Sequence, residues 1–553
     1  MTALDVSLFL LFLVVVAGVS IAASRGERTR ADYFLAGRGL SWWLIGFSLI
    51  ASNISTEHFV GMTGNAARSG LAVASYEWLA APALVFVAWW LLPLFLRAGI
   101  YTIPEYLEYR YDRATRSILA SLMVLFFVLT VLATVLYSGA TFLCSVLDLP
   151  HILSERFGLE EATADLVAFQ IGVFGIGIGA GVYTVLGGLK AVVWSDLLQG
   201  SALLIGGAMV TVLGFLALGD GSGLSAGYAR FVETNGEKLH VVRPWNDPEV
   251  PSLTLVTGLW IPVMFYWGLN QFIMQRTLAA GSLSEGQKGL FFAAAIKLLL
   301  PWIVVVPGML AVNILGEGLD PSQYDQAYPI LLRELLPAGL LGLMMAAITG
   351  SVMSTFNSGL NSAATIVSLD LWSIYVDRNL SEEGAVRVGR VTTVILAVAA
   401  CLWAPMIRSF DGVFVYIQEF WGFVSAPTCA VFFAGLLFPR VPAFSARAAL
   451  LVGPLLYLVS RAPSWAWSAE EAEALGGPVR ALHAYASLPF LYHMFILFVV
   501  LVAGMLLCGR LFPLSAARPL PNRPAVELKS MPRLRLFGIG IILLTLGHYI
   551  LFW

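Results

Sequence analysis

Residues 52–59 place several side chains capable of chemistry inside a long apolar segment. The stretch, SNISTEHF, holds an amide (Asn53), a carboxylate (Glu57) and an imidazole (His58). An unpaired charge at the centre of a bilayer costs about 2.5–3.5 kcal/mol or more, so such a group is expected to face a cavity or a partner. A carboxylate accepts hydrogen bonds from hydroxyl groups, and an amide both donates and accepts them. The stretch therefore predicts a polar site within apolar surroundings.

Four further ionisable residues fall inside apolar runs: Glu77, Asp196, Lys297 and Glu419. Glu77 and Lys297 are candidates for the same polar site. For Asp196 and Glu419 the favoured interpretation is a position near the membrane interface, where the charged head reaches water. Lys297 is interpreted as the only basic residue within a span.

Small and hydroxyl-bearing residues recur along one predicted helix, at Ala347, Ser351, Ser354 and Ser358. Their intervals of four, three and four put them on one face of the helix. A face of small residues lets another helix approach closely. For Ser354 and Ser358 we favour packing, with each hydroxyl bonded to the carbonyl four residues earlier.

The composition places these residues in a membrane protein. Of 553 residues, 59% are hydrophobic and only 12% are charged, whereas soluble domains have roughly 25% charged residues. Apolar runs long enough to cross a bilayer recur along the chain, which indicates an all-α polytopic membrane protein. No basic patch supports a nucleic-acid partner. The four cysteines lie in or at the end of apolar runs, where packing is the expected role.

The apolar runs predict fourteen spans. Their approximate limits are 5–24, 39–64, 73–98, 115–146, 166–186, 191–218, 252–280, 287–316, 336–362, 385–406, 411–438, 444–462, 486–510 and 534–553. Roughly two thirds of the Lys and Arg residues fall in loops on one side, which is therefore predicted to be cytoplasmic. Both termini, and the loops 147–165, 219–251 and 463–485, are then expected outside.

The order of the spans predicts two inverted halves. Without the first span, the next ten divide at the loop 219–251 into five and five, and five crossings leave the second half inverted. Inverted repeats commonly break the first helix of each half to build a midplane site. Asn53 and its polar neighbours interrupt one such helix, and FYWGLNQ (265–271) interrupts the other. The predicted units are 1–38 (extra helix and loop), 39–218 (first repeat), 219–251 (external loop), 252–438 (second repeat) and 439–553 (three additional helices).

Seven stretches in this order resemble the solute:sodium symporter family, and most closely its sodium/sugar cotransporter branch. They are ASNISTEHFVG (51–61), ASYEW (74–78), GIYTIPEYLEYRY (99–111), GGLKAVVWSDLLQ (187–199), FYWGLNQFIMQRTLAA (265–280), SVMSTFNS (351–358) and YIQEFWGFVSAP (416–427). The resemblance implies a ten-helix inverted-repeat core of the leucine-transporter type with extra helices at both ends.

The resemblance also implies a site for a coupling sodium ion between the first and eighth core helices. By position, its ligands are the carbonyl oxygens of Ala51, Ile54 and Ala347 and the hydroxyl of Ser351. Neutral oxygens of this kind suit a monovalent ion. The family commonly has two adjacent hydroxyl residues here, whereas this chain has Gly350 before Ser351. The site is therefore expected to have one hydroxyl ligand fewer.

The resemblance further implies which residues contact a solute. His58, Glu77, Lys297 and Gln418 match sugar-contacting positions, and Asn53 and Glu57 flank them on the broken helix. Tyr266 matches the aromatic residue of the family's inner gate, and Trp267 follows it. Val263 stands where sugar transporters tend to have Asn or Thr.

These observations predict a sodium-coupled symporter that imports a small neutral polyhydroxylated solute, with a monosaccharide as the preferred class. Its expected partners are the solute, sodium and the lipid bilayer, and no enzymatic reaction is expected. Two alternatives stay open: the same fold with another solute (an inositol, a sialic acid or an organic acid), or a sugar sensor or channel without concentrative transport.

Overall fold

All regular secondary-structure elements in the described part of the chain are helices. The described β-structure is limited to three isolated β-bridges. The computed structural model describes residues 2–23, 29–247, 249–316, 324, 326–410, 413–516 and 518–553, without the side chains of residues 183, 186, 187, 414, 415 and 418. The helices used below are α1 (Ala3–Ala23), α2 (Trp42–Asn53), α3 (57–69), α4 (75–98), α5 (Arg113–Leu147), α6 (Glu161–Val182), α7 (Gly188–Leu218), α8 (260–269), α9 (Gln271–Leu278), α10 (Leu283–Leu315), α11 (Leu340–Tyr375), α12 (Glu382–Trp403), α13 (Val413–Leu437), α14 (Ala443–Ala466), α15 (Phe490–Leu511) and α16 (Leu534–Leu551).

Thirteen stretches among the described residues are long and apolar enough to cross a membrane. The difference from the fourteen predicted spans arises at the first broken helix. Its first half, α2, has only 12 residues, and its second half continues through a tight turn into α4 as one apolar stretch, Glu57–Ala98. The two predicted spans 39–64 and 73–98 therefore correspond to one of the thirteen stretches. The protein is an all-α membrane protein with a leucine-transporter-like core.

Two of the predicted spans, 39–64 and 252–280, are interrupted, as the sequence predicts. The α2 helix ends at Ile54, whose backbone is extended (φ −79°, ψ 108°), and the chain resumes as α3 in a wide π-helical turn. The second interruption lies at Asn270, which is also extended (φ −86°, ψ 122°). The Asn270 side chain accepts a hydrogen bond from the amide of Phe272 at 3.0 Å. Asn270 therefore caps the N-terminus of α9 and stabilises the break.

Glycine lets the helices around the first break approach closely. Gly188, with φ of 51°, turns α6 directly into α7, because glycine carries no Cβ to oppose a left-handed backbone. Farther along α7, a Cβ on Gly200 would lie 2.8 Å from the Cβ of Ala51. The α7 helix therefore packs tightly against the end of α2, beside the break. It also packs along α11, which carries the predicted hydroxyl face.

The helices outside the ten-helix core contact it at specific points. On α1, the carboxylate of Asp5 accepts hydrogen bonds from the amides of Gly339 (2.7 Å) and Gly342 (3.0 Å). It thereby caps the N-terminus of α11, where a helix favours negative charge. At the other end of the chain, Phe552 stacks on Trp78 of α4 with ring centroids 5.9 Å apart. The segments at both ends of the chain thus contact core helices, α1 through Asp5 and the C-terminal segment through Phe552.

Candidate functional site

A central cavity of about 140 Å³ lies between the two broken helices. The segments α2, α3, α4, α8, α10 and α13 contribute its walls. Its lining side chains are Asn53, Glu57, His58, Met62, Tyr76, Glu77, Pro262, Val263, Tyr266, Trp267, Lys297, Ile417 and Trp421. Apolar and aromatic walls with a few convergent polar groups are typical of a small-molecule site.

A buried ion pair forms the polar centre of the cavity. The ammonium of Lys297 on α10 pairs with the carboxylate of Glu77 on α4. It also donates a hydrogen bond to the side-chain oxygen of Asn53, at the end of α2. His58 Nε2 lies 3.3 Å from the other carboxylate oxygen of Glu77. These contacts join the first broken helix to α4 and α10, because each group is desolvated and needs a partner.

Aromatic rings form another part of the cavity wall. The ring of Tyr266 stacks on Trp421, with centroids 5.3 Å apart and an angle of 18° between the planes. The Asn53 side-chain amide donates to the Tyr266 hydroxyl at 3.2 Å. The Lys297 ammonium lies 5.0 Å from the ring centroid of Trp267. A stacked aromatic surface beside hydrogen-bonding groups suits a ring-shaped solute with apolar faces and polar edges.

A second polar corner faces α5. The carboxylate of Glu57 lies 2.5 Å from the hydroxyl of Thr134. Beside it, the buried Nδ1 atom of His58 has no hydrogen-bond partner in the structure. Buried polar atoms are nearly always paired, so this atom is a candidate contact for a bound molecule.

The structure brings most of the predicted solute-binding residues to one place. The residues that line the cavity are Asn53, Glu57, His58, Glu77, Tyr266, Trp267 and Lys297. The side chain of Gln418 lies outside the described part of the chain, although its helical neighbour Ile417 lines the cavity. Val263 also lines the cavity, where its apolar side chain offers no hydrogen bond to a solute. Solute binding by these residues stays a prediction.

The predicted sodium ligands lie at the end of α2, beside the break, and on α11. Ala51, Ile54, Ala347 and Ser351 are all buried. The extended backbone at Ile54 ends the helical hydrogen-bond ladder, which leaves carbonyl oxygens of the last turn of α2 available. The Ser351 hydroxyl donates to the carbonyl of Ile348 at 2.8 Å, so its lone pairs remain free to bind a cation. The donor set fits sodium, and sodium binding here stays a prediction.

The structure shows a buried charged cluster that the sequence interpretation missed. Asp196 on α7 pairs with Arg276 on α9 at 3.4 Å, and both side chains are fully buried. The interfacial position predicted for Asp196 is therefore wrong. Arg276 lies within the predicted span 252–280, so Lys297 is not the only basic residue in a span. The QR pair in MQRTLAA was the available signal, since an Arg in an apolar run needs a buried anion.

Hydroxyl groups from two helices surround this pair and correct two further predictions. Ser354 donates to the carboxylate of Asp196, and the guanidinium of Arg276 donates to Ser358. Ser48 and Ser52 on α2 contact the same pair. The hydroxyls of Ser354 and Ser358 thus bind charged side chains rather than the carbonyl four residues back. A shell of hydroxyls stabilises a buried ion pair by satisfying its remaining donors and acceptors.

Glu419 also has a partner that the sequence interpretation did not foresee. Its carboxylate pairs with Arg461 of α14, with Nε to oxygen at 3.2 Å. The guanidinium also donates to the carbonyl of Leu488 at 3.1 Å. Glu419 therefore joins core helix α13 to an additional helix instead of reaching water on its own.

Comparisons with known proteins agree with this architecture. The model of the sodium:solute symporter family matches residues 33–453. The chain is 36% identical to the sodium/glucose cotransporter of Vibrio parahaemolyticus over 459 residues, which are 79% of this chain and 81% of the relative. It is 34% identical to the uncharacterized symporter YidK of Escherichia coli (strain K12), over 99% of this chain and 91% of the relative.

Two further comparisons concern an animal relative and a solved structure. The human sodium/myo-inositol cotransporter 2 is 32% identical over 487 residues, with 82% of this chain and 69% of the relative covered. The structure of a sodium-coupled sialic acid symporter in a substrate-bound outward-open state matches with a TM-score of 0.74 and 20% identity, over 94% of this chain and 99% of that chain. The structural likeness concerns the fold alone.

Proposed function

The chain belongs to the sodium:solute symporter family, and we propose that it is a sodium-coupled symporter importing a small neutral polyhydroxylated solute, with monosaccharides as the preferred class. The observation that carries this proposal is the central cavity, where the Lys297–Glu77 pair, the Asn53 amide and the Tyr266–Trp421 stack converge. Hydroxyl groups would pair with the charged and amide groups, and the face of the sugar ring would lie on the aromatic rings.

The charges of the cavity favour a neutral solute over an anionic one. Among the described lining residues Lys297 is the one permanent cation, and Glu77 already pairs with it. A carboxylate ligand would have to compete with the Glu77 carboxylate for this ammonium. Sialic or other organic acids are therefore poor candidates, because like charges in a desolvated site are strongly unfavourable.

A cyclitol such as myo-inositol is the second candidate solute. Relatives named sodium/myo-inositol cotransporter 2 are 32% to 33% identical to this chain over 487 aligned residues. Val263 offers no hydrogen bond to the solute, and a buried hydroxyl without a partner costs about 1–3 kcal/mol. The preferred solute should therefore lack a hydroxyl at this wall or turn it elsewhere.

We place the sodium ion at the carbonyls of Ala51, Ile54 and Ala347 and the hydroxyl of Ser351. Sodium would stabilise the break between α2 and α3, and the solute would then bind beside it. When the helices rock to the inward-open state, both ligands would leave past Tyr266, whose bond to Asn53 must open. We propose that both chain termini lie on the extracellular or periplasmic side, and we assign the protein no catalytic reaction.

Sodium coupling would supply enough free energy for accumulation. One sodium ion per neutral solute moves one charge, worth roughly 2.3 kcal/mol at about 100 mV. A tenfold sodium gradient adds about 1.4 kcal/mol. Together, about 3.7 kcal/mol would support a solute gradient of a few hundredfold.

Counterflow in proteoliposomes tests the proposal. Purified full-length protein is assayed with labelled glucose, galactose, myo-inositol and sialic acid, in sodium and in choline buffer. We expect sodium-dependent exchange of a neutral solute and none of sialic acid. Exchange that is equal in choline would contradict sodium coupling. Binding without accumulation under an imposed sodium gradient would favour a sensor or channel.

A further inference from the structure

The Thr134 hydroxyl contacts two acceptor oxygens, one on Glu57 and one on Thr130, but has only one hydrogen to donate. The Thr134 hydroxyl oxygen lies 2.5 Å from a carboxylate oxygen of Glu57 and 2.7 Å from the carbonyl oxygen of Thr130, one turn earlier on α5. A threonine hydroxyl has a single hydrogen to donate, and neither a carbonyl nor an ionised carboxylate has any. The hydroxyl of Thr134 can therefore fill only one of these two contacts.

The next hydroxyl on the same face of α5, that of Ser138, also contacts a carbonyl and a second side chain. Ser138 lies 2.8 Å from the carbonyl of Thr134, and its oxygen also lies 2.7 Å from the hydroxyl of Thr56, beside the break. Here all hydrogens are accounted for when Ser138 donates to the carbonyl and Thr56 donates to Ser138. The same arrangement at Thr134 requires a hydrogen on Glu57. A protonated Glu57 then donates to Thr134, and Thr134 donates to Thr130.

The charges around Glu57 agree with a protonated carboxyl group. Among the titratable groups that line the cavity, Lys297 of α10 pairs with Glu77 of α4, and His58 also faces Glu77. The hydroxyl of Tyr266 on α8 accepts from Asn53.

The other described residues of the lining supply no permanent countercharge either. Tyr76 of α4 is the remaining titratable residue among them, and α13 contributes the apolar Ile417 and Trp421. Arg276 is engaged in the separate cluster with Asp196. Among the described lining residues, an ionised Glu57 would thus have no permanently charged cation as its partner, and an unpaired charge costs several kcal/mol in a desolvated site. Its neighbour His58 would be a cation only if protonated, and its Nε2 already lies 3.3 Å from Glu77.

We propose that Glu57 is a proton-binding site in the central cavity, and that the neutral solute binds to the form in which Glu57 is protonated and donates to Thr134. The second clause rests on the proposed function, whereas the first concerns the carboxyl group alone. With the proton bound, the pair Lys297–Glu77 leaves the cavity electrically neutral. Loss of the proton to water leaves one negative charge there and removes the donor to Thr134. Solute affinity is then coupled to pH through Glu57.

Infrared difference spectroscopy tests the proton without any solute. Full-length protein in liposomes is titrated over about pH 5.5–8.5, a range in which an ordinary glutamate stays ionised. We expect a band of protonated carboxyl groups that decreases as pH rises and has a component that is missing in Glu57→Gln. The control Glu419→Gln, which removes a carboxylate paired with an arginine, should keep that component. A band of unchanged intensity in Glu57→Gln, or the absence of the band from the wild type, overturns the proposal.

Counterflow of glucose and myo-inositol at saturating sodium tests the link to the solute. In the wild type, apparent affinity should fall by about tenfold across this pH range, since binding is linked to one proton. The Glu57→Gln variant keeps an uncharged side chain that can donate to Thr134, so its solute affinity, whatever its magnitude, should be independent of pH. Thr134→Val removes the acceptor of the proton and should move the wild-type transition to lower pH.

The outcomes separate the two proposals. A pH-dependent Glu57→Gln variant, or a pH-independent wild type, overturns the coupling of the solute to Glu57. If the infrared band is lost in Glu57→Gln and neither probe is exchanged by the wild type, the proton site stands and the proposed solute class fails.

Discussion

The phenol ring of Tyr457 on α14 packs directly against Gly422 of α13, one residue after Trp421 in the cavity wall. A Cβ at position 422 would overlap this ring. The Tyr457 hydroxyl also donates to Glu419 of α13 at 3.4 Å. An additional helix outside the ten-helix core therefore sets the position of the helix that carries half of the aromatic stack.

This relationship predicts that Gly422→Ala weakens solute binding. Overpacking typically costs about 1–3 kcal/mol, and the displaced helix would carry Trp421 away from Tyr266. We expect the half-saturating solute concentration to rise about tenfold, measured by counterflow. Tyr457→Leu should restore much of the affinity in the double variant, because it makes room for the new methyl group. Independent, additive effects of the two substitutions would contradict a shared contact.

The Lys297–Glu77 pair yields a prediction with a matched control on the same helix. Lys297→Gln leaves the Glu77 carboxylate buried without a cation and removes a donor from the cavity. We expect at least a tenfold loss of apparent solute affinity, about 1.4 kcal/mol. Lys288→Gln removes a half-exposed lysine of α10 that pairs with Glu285 at 2.9 Å, and such pairs contribute roughly 0–1 kcal/mol. Equal kinetics in the two variants would place the solute elsewhere.

The Asp196–Arg276 cluster predicts a large effect on stability. Asp196→Asn leaves the fully buried guanidinium without its anion, and breaking a buried pair typically costs about 3–5 kcal/mol. The control Asp165→Asn removes the carboxylate of an exposed pair with Arg408, 3.0 Å apart, where roughly 0–1 kcal/mol is expected. Thermal unfolding in detergent should show a much lower midpoint for Asp196→Asn alone. Similar midpoints would mean that the serine shell suffices to hold Arg276.

The same cluster shows which features a sequence can reveal. Both helix breaks were predictable, since polar residues and Gly268 interrupt apolar runs at corresponding places in the two halves. The pairing of Asp196 with Arg276 was not, because the partners lie 80 positions apart and meet only when α7 and α9 pack around α2. Glu419 and Arg461 likewise come from the core and an additional helix. Judged on their own helices, Asp196 and Glu419 each suggested an interfacial position.

The predicted sodium site depends on Ser351, since Gly350 provides no second hydroxyl. Ser351→Ala would leave carbonyl oxygens as the remaining predicted ligands. We therefore expect the sodium concentration for half-maximal uptake to rise tenfold or more, a loss of at least about 1.4 kcal/mol. The assay is sodium-dependent uptake at a fixed membrane potential. Solute binding at saturating sodium should persist, because the two sites are distinct although linked.

A substitution at position 350 is expected to raise the affinity for sodium. Gly350→Ser adds the hydroxyl that the family commonly has and should tighten sodium binding. A Cβ at this position would lie 2.9 Å from the side chain of Gln199, so Gln199 must shift to admit it. Gly350→Ala separates the two effects, because it adds the same Cβ without an oxygen. Tighter sodium binding in Gly350→Ser but not in Gly350→Ala would support a sodium ligand at this position. If uptake by the wild type is equal in choline and driven by a proton gradient alone, the sodium site is wrong and Ser351 serves only helix packing.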